Sequence, residues 1–418
     1  MYKEVGRVVE VWKSSTIVYD MQLVYLLVAL GIYGHVFAAS RGYVEIPLER
    51  SSDSMYYVES LRVGKRQQEL KNVILDTGSA DVVLTRSTYQ YEKSLFTPEY
   101  VAQYGSSEPF EMFQQNETIS GNGWALKGAT FGVTNVSDID SFYGVFGIGY
   151  AAIEAMDPYE NFPMKLESLG LIDYQVYSVS GRASHGSIVF GGIDSGAYKG
   201  PLVKTQIGFE VGPLATREYH TVTAVTVSSI KVASHNSRTS ISTQKLIYTL
   251  DTGSNGLMVP EPVYTNLVTA IHAKKQWHDD TPLFHQDGLA AESLTFDITG
   301  FPVSIPLTDL IDECTAIRGV QYCTLRIGIV DIGTNSYVAT LPNSIFKYIY
   351  TVFDLQANQV FMAPYAPLAS KSIKHVSNTH FPVETTTAPN YNDVYSTMYQ
   401  SSDETTVHRS SSTKNCRR

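Results

Sequence analysis

A chain of 418 residues with 31 Lys and Arg against 41 Asp and Glu has a formal net charge of −10. That balance argues against a nucleic-acid partner, which is bound by neutralising phosphates with Lys and Arg. Apolar residues make up 43% and charged residues 17%, which excludes a disordered chain and leaves room for two lobes, each with a core of its own.

From the N-terminus, Leu23 to Leu30 forms an apolar run, extended weakly to Phe37 and followed by the small residues Ala38-Ala39-Ser40. The run falls short of the about 20 residues a membrane span needs. Residues 1–40 therefore read as an N-terminal extension with a secretory signal, and no stable membrane span is expected. Residues 41–55 follow, short and without a dibasic site.

From Tyr56 to Thr205 the chain alternates in short predicted strands broken by Gly, Ser and Asn, and the same texture runs on from Gln206. The reading is all-β, with lobes at 56–205 and 206–366. One predicted helix covers 261–275, where Val263, Leu267, Val268 and Ile271 recur at helical spacing. Each lobe carries one copy of a single unit. Val73-Ile74-Leu75 leads into Asp76-Thr77-Gly78-Ser79 and on to Val82-Val83-Leu84; Ile247 to Leu250 leads into Asp251-Thr252-Gly253-Ser254 and on to Leu257-Met258-Val259. One such motif would be an ordinary turn. Two in matching apolar settings imply a duplicated lobe with a carboxylate from each at a common interface.

Asn116-Glu117-Thr118 and Asn135-Val136-Ser137 are glycosylation sequons. Cys314 and Cys323 enclose a short loop with Gly319, which suits either a bridged hairpin or two separate buried thiols. Residues 367–418 turn to Ser, Thr, Asn and scattered charge; they read as a disordered tail, containing Cys416 and no terminal apolar segment of the kind a GPI anchor requires. No rival chemistry competes: His272 and His278 are not at ligand spacing, and neither His-Glu-x-x-His nor Gly-x-Ser-x-Gly occurs. Metal sites and cofactors are not expected.

The paired motifs resemble those of the pepsin-like aspartic proteases, and within them the fungal secreted branch of candidapepsins, yapsins and barrierpepsin. Tyr56-Tyr57-Val58, Gly144 to Gly149, Gly186 to Asp194 and Val352 to Ala363 match further family segments, so the resemblance spans about residues 56 to 366. It implies a bilobal pepsin-like fold with a cleft between the lobes, a monomer, a peptide or protein substrate, and a location in the medium or at the cell wall. It makes Asp76 and Asp251 the catalytic dyad. Two close carboxylates cannot both ionise; the ionised one activates water and the protonated one polarises the scissile carbonyl. By the same resemblance Thr77 and Thr252 lock the two loops, Gly78 and Gly253 allow close approach, and Ser79 and Ser254 each bond the neighbouring carboxylate. It also implies a Cys314–Cys323 bridge and places a Lys-rich prosegment where residues 41–55 stand.

The chain departs from the pattern at two places. Counting back from Ser120-Gly121, the flap that closes over substrate falls on residues 112–119, with Gln114 where relatives carry Tyr, and Gln115 and Glu117 in place of glycines. In the second lobe, Thr340-Leu341-Pro342 puts a proline where a glycine is expected. The leading expectation is an acid-pH aspartic endopeptidase. The alternative, resting on these departures, is a weakened or inactive peptide-binding protein of the same fold.

Overall fold

The apolar runs around each Asp-Thr-Gly-Ser fold as the same unit twice. The computed structural model describes residues 42–394 apart from 52–53, 92–96, 105–106, 182–184, 212–217, 235–236, 279–280, 331–338 and 368–369. The signal expected before residue 41 and Cys416 lie outside the described residues.

In the first lobe the strand Val73–Asp76 is wholly buried and pairs in parallel with Gly144–Gly147, from Val73↔Gly144 to Asp76↔Gly147. Gly144–Gly147 lies antiparallel to Val82–Leu84, which pairs in parallel with Trp124–Thr134 at Val83↔Gly132. A strand threaded between the two arms of a turn leaves little space for side chains. A Cβ on Gly144 would stand 2.6 Å from the Val83 carbonyl oxygen, and one on Gly147 would collide with the Asp81 backbone. The second lobe repeats the order. Leu246–Leu250 pairs in parallel with Ala339–Leu341, up to Leu250↔Leu341; Ala339–Leu341 opposes Leu257–Val259, which runs parallel to Ile327–Ile329.

One sheet joins the two halves of the chain. Its strands follow the order Val44–Arg50, His185–Phe190, Val176–Gly181, Ile349–Asp354, Gln359–Pro364 and Leu202–Gln206. Buried Tyr177 and Phe353, one from each half, stack there at 5.0 Å. Residues 44–50, within the segment left without a structural role in the sequence, are an inner strand of this sheet and pair with both His185–Phe190 and Tyr56–Val58.

The expected helix is shorter than its periodicity suggested, spanning Glu261–Ala270 with Val263, Leu267 and Val268 buried. Pro262 sits in its first turn, where a missing N–H costs nothing, and Ile271 leaves it in extended backbone. Cys314 and Cys323 face one another across the hairpin Ile311–Ile317/Val320–Leu325 and are bridged. Arg318 and Gly319, both at positive φ, supply the turn that such a hairpin favours.

The disordered tail expected from residue 367 is corrected for residues 370–394; residues 395–418 lie outside the described set. Ile373–His375 pairs with Gly192–Asp194, Thr385–Thr387 runs parallel to Leu202–Gln206, and Val376 and Ala388 are buried. The Asp194 carboxylate accepts the N–H groups of Gly196 and Ser372. Tyr391 receives a bond from Gln359 and lies under Lys204, Asp393 pairs with Lys245, and Pro389 rests on Gly300. Polar composition hid this because the segment extends edges already formed largely through its backbone and adds only scattered apolar side chains, Val376, Phe381, Val383 and Ala388, to the packing. Ending the chain at Pro367 is therefore expected to lower the Tm and to speed amide exchange in 192–194 and 202–206. Unchanged melting and exchange would show that the strap carries no stability.

Candidate active site

The two Asp-Thr-Gly-Ser loops meet tip to tip, held by reciprocal hydrogen bonds between buried threonines. Thr77 Oγ1 donates to the Leu250 carbonyl at 2.7 Å and Thr252 Oγ1 to the Leu75 carbonyl at 2.7 Å. Each hydroxyl also accepts the partner threonine's N–H, at 3.0 and 3.1 Å. Both side chains are essentially inaccessible to water. In that setting an unmade bond would cost the full desolvation of its group.

The clasp brings the carboxylates together over the glycines that follow them. A Cβ on Gly78 would stand 2.8 Å from Asp251 Oδ2, and one on Gly253 would stand 2.7 Å from Asp76 Oδ1. Each glycine is thus required by the opposite lobe's carboxyl, not by a turn conformation. Asp76 Oδ1 accepts the Gly78 N–H at 2.8 Å and Oδ2 the Ser79 hydroxyl at 2.6 Å. Asp251 Oδ1 accepts the Gly253 N–H at 2.7 Å. Burial, then the Asp76 charge, then a hydrogen bond shared with Asp76 push the Asp251 carboxyl well above the usual carboxylate range. The pair is built to hold one proton between two carboxyls.

Ser254 departs from expectation. Its hydroxyl donates to the Gly256 carbonyl at 3.3 Å and not to Asp251. The symmetry of the motif is therefore broken where the two carboxyls are solvated: Asp76 has a hydroxyl donor that Asp251 lacks. Pro342 follows the end of the Leu250↔Leu341 pairing in extended backbone, φ −67° and ψ 143°, so the crossing strand survives it. The next residue, Asn343, donates its N–H to Ser254 O at 2.8 Å, the contact that Gly149 makes with Ser79 O at 2.7 Å in the first lobe. Asn343 Nδ2 also reaches the Thr252 carbonyl at 3.4 Å.

The flap assigned to Gln114 and Gln115 is corrected. These residues lie inside one long hairpin, Phe110–Gly121 with Trp124–Thr134, paired with Gly132 and Phe131. The turn of that hairpin is Asn122-Gly123, with Gly123 at φ 84°. Asn-Gly is among the strongest hairpin signals in a sequence, and read as one it excludes a hairpin tip at 114–117. A second, shorter hairpin projects before it, with Tyr100–Ala102 paired to Met112, Glu111 and Phe110. Tyr104 stands at its tip. The Tyr104 N–H donates to Ser107 Oγ at 3.1 Å and its carbonyl accepts the Ser107 N–H at 2.9 Å. Its ring stacks on Phe110 at 6.0 Å. Burial, then Asp81 and Asp76, push the phenol well above its ordinary range, while a hydrogen bond with Ser79 pulls the other way. A tyrosine facing Ser79 and the Asp76 charge is therefore present, ten residues earlier than the sequence count placed it. The sequon residue Asn116 is exposed on the long hairpin and not at this tip; Asn135 is exposed as well.

A buried acidic cluster beside the dyad went unread. Asp81, 2% exposed, accepts the Ala155 N–H at 2.8 Å and the Tyr159 hydroxyl at 2.9 Å. Burial raises its carboxyl above the ordinary range. Glu154, in the loop these bonds anchor, is pushed up to about 7 by burial, and further by Asp81. The signal available in the sequence was an Asp directly after the Asp-Thr-Gly-Ser-Ala turn, inside an apolar run. Among the described residues, no group of three His, Cys, Asp or Glu is placed to hold a metal ion.

Comparison with known proteins agrees with this geometry. The family model for eukaryotic aspartyl proteases matches residues 56–365. Yapsin-3 of Saccharomyces cerevisiae is 27% identical, covering 88% of this chain and 76% of its own. Secreted aspartic protease 8 of Candida albicans is 25% identical over 80% of this chain and 82% of its own. The crystal structure of an aspartic proteinase from Irpex lacteus superposes with a TM-score of 0.63 at 17% identity, over 78% of this chain and 99% of that one, and so shares the bilobal β fold. With two interlocked Asp-Thr-Gly-Ser loops and a family match over most of its length, the chain belongs to the eukaryotic aspartyl protease family and is an aspartic-type endopeptidase.

Proposed function

We propose that Asp76 and Asp251 are the catalytic dyad of a secreted endopeptidase that works at acid pH. The observation that carries this reading is the unequal hydrogen bonding of two interleaved carboxyls. Asp76 accepts both the Gly78 N–H and the Ser79 hydroxyl, while Asp251 has the Gly253 N–H on its Oδ1 and is driven towards its protonated form by desolvation and by the Asp76 charge. Asp76 as the carboxylate takes a proton from a water held between the two groups. Asp251 as the acid donates a hydrogen bond to the scissile carbonyl, and the tetrahedral adduct then breaks with a proton passed to the leaving nitrogen. Tyr104 closes the site from above and limits the water that reaches it.

Secretion is supported by the apolar run at 23–30, the two exposed sequons, the disulfide and relatives whose names describe them as secreted. The peptide-binding alternative rested on a flap without tyrosine and on Pro342. With Tyr104 at the tip of the projecting hairpin and the strand before Pro342 fully paired, no observation favours it.

Asp76→Asn and Asp251→Asn are each expected to abolish cleavage of an unstructured polypeptide below about pH 6 while leaving the Tm nearly unchanged. Undiminished cleavage in either variant would remove the dyad assignment. Tyr104→Ala is expected to lower kcat/KM by about tenfold or more, from a lost lid over the site, whereas Gln114→Ala leaves it unchanged; the reverse ranking would return the flap to residue 114.

Glu154 gives a pH dependence of stability. Its folded-state value of about 7 lies above the ordinary 4.5, so the folded form holds its proton more tightly than the unfolded chain. Its contribution is complete below about pH 4.5 and is lost as the pH rises towards 7. Glu154→Gln is expected to flatten the fall in Tm across that window. A wild-type Tm that rises from pH 4.5 to 7, with the variant following the same curve, would contradict it.

A further inference from the structure

The peptide between Thr77 and Gly78 carries a carbonyl at one end and, at the other, the N–H that donates to Asp76 Oδ1 at 2.8 Å. Because a peptide is planar, fixing the carbonyl also fixes where that N–H points. The Thr77 carbonyl is met by one side chain from the other half of the chain. The hydroxyl of Thr223 lies 3.2 Å from Thr77 O and 3.2 Å from Leu250 O, shared between the two.

Thr223 is fully buried and stands immediately before the strand Ala224–Ala233. Its own carbonyl accepts the Leu250 N–H at 2.9 Å, so its backbone is tied to the strand that delivers Asp251. Leu250 O is also the acceptor for Thr77 Oγ1. The Thr223 hydroxyl therefore closes a ring of bonds around the clasp, from the second lobe onto the first lobe's peptide. A hydroxyl donated to an amide carbonyl polarises that amide and strengthens its N–H as a donor.

We propose that Thr223 is a positioning residue for peptide hydrolysis: its hydroxyl orients and polarises the Thr77–Gly78 peptide so that the Gly78 N–H stabilises the ionised carboxylate of Asp76. The inference rests on the dyad reading above. Asp76 is faced by Asp251 across the clasp, by the Ser79 hydroxyl on its own loop, by Tyr104 from the flap and by Tyr177 from the shared sheet. Both phenols stay neutral through the acid range, so the neighbouring groups whose charge changes there are Asp251 and the buried Asp81 just before the strand Val82–Leu84, whose carboxyl burial raises.

Thr223→Val keeps the shape and removes the donor; Thr223→Ser keeps the donor. The Val variant is expected to lose about tenfold in kcat with KM within about twofold, and the acid limb of its kcat profile is expected to move up by about half a pH unit, because the carboxylate has lost part of its stabilisation. The Ser variant is expected to restore both. If the Val variant does not fold, Thr223→Cys, a weaker donor of similar size, is expected to be impaired relative to Ser, in kcat and in the acid limb, by less than the loss expected for Val. A second readout needs no turnover. In protein labelled with 13C at Asp carboxyls, with the Asp76 signal assigned by its loss in Asp76→Asn, the titration midpoint is expected to move to higher pH in Thr223→Val. A Val variant with wild-type kcat and acid limb, a Ser variant as impaired as Val, or an unmoved Asp76 titration would overturn the role of Thr223. Wild-type cleavage that survives Asp76→Asn would instead dismiss the dyad, while the titration still decides the role of Thr223.

Discussion

The reciprocal threonine bonds are the constraint on which the rest of the site depends. Thr77 and Thr252 each give a hydroxyl to a backbone carbonyl of the opposite lobe and accept an N–H from the opposite threonine. These bonds are dry, and a buried donor or acceptor left without a partner costs more than a surface bond contributes. The loops therefore have one good arrangement, and it forces each carboxyl over the other lobe's glycine. The proton sharing follows from that contact. So does the requirement for glycine at 78 and 253, which is a matter of space: neither appears among the positive-φ positions.

The molecule is symmetric in its strands and asymmetric in its polar groups. Both lobes thread a strand between the arms of the Asp turn with the same parallel and antiparallel pairings. Around that frame the donors differ. Ser79 serves Asp76, Ser254 serves its own turn, and the peptide carbonyls beyond the two aspartates are met by Thr223 in one case and Asn343 in the other. Two chemically equal carboxyls are made unequal by their surroundings, and a general acid and a general base require that inequality.

The acidic cluster behind the flap extends the same logic. Asp81 is satisfied by Ala155 and Tyr159, and Glu154 lies in the loop so formed. Its carboxyl is raised by burial and by Asp81, so Glu154 is neutral when the surroundings are acidic and becomes charged towards neutrality.

The duplicated motif, the strand texture and the pairing of the Asp76 and Asp251 loops were legible in the sequence because each depends on short-range chemistry: β-branched runs, turn residues, and a carboxylate at a set position. The pairing of Cys314 with Cys323 was nearly so, since a tight turn at Arg318-Gly319 puts them opposite. The flap was not. Its place depends on which strands pair, and a count from Ser120-Gly121 took the middle of the long hairpin for its tip, although Asn122-Gly123 marked the true turn and Tyr104-Gly105 lay upstream. Residues 370–394 looked disordered because an added strand borrows its partners' backbone, and the few apolar residues that pack, such as Val376 and Phe381, stand too far apart to show a pattern. The choice of Thr223 as donor to the Thr77 carbonyl lay further still from view, since it joins residues 146 positions apart. Composition and local pattern determined that this chain would present two carboxylates on two β lobes; only the packing of one lobe on the other decided which donors reach them, because a hydrogen bond is made by proximity in space and not by order along the chain.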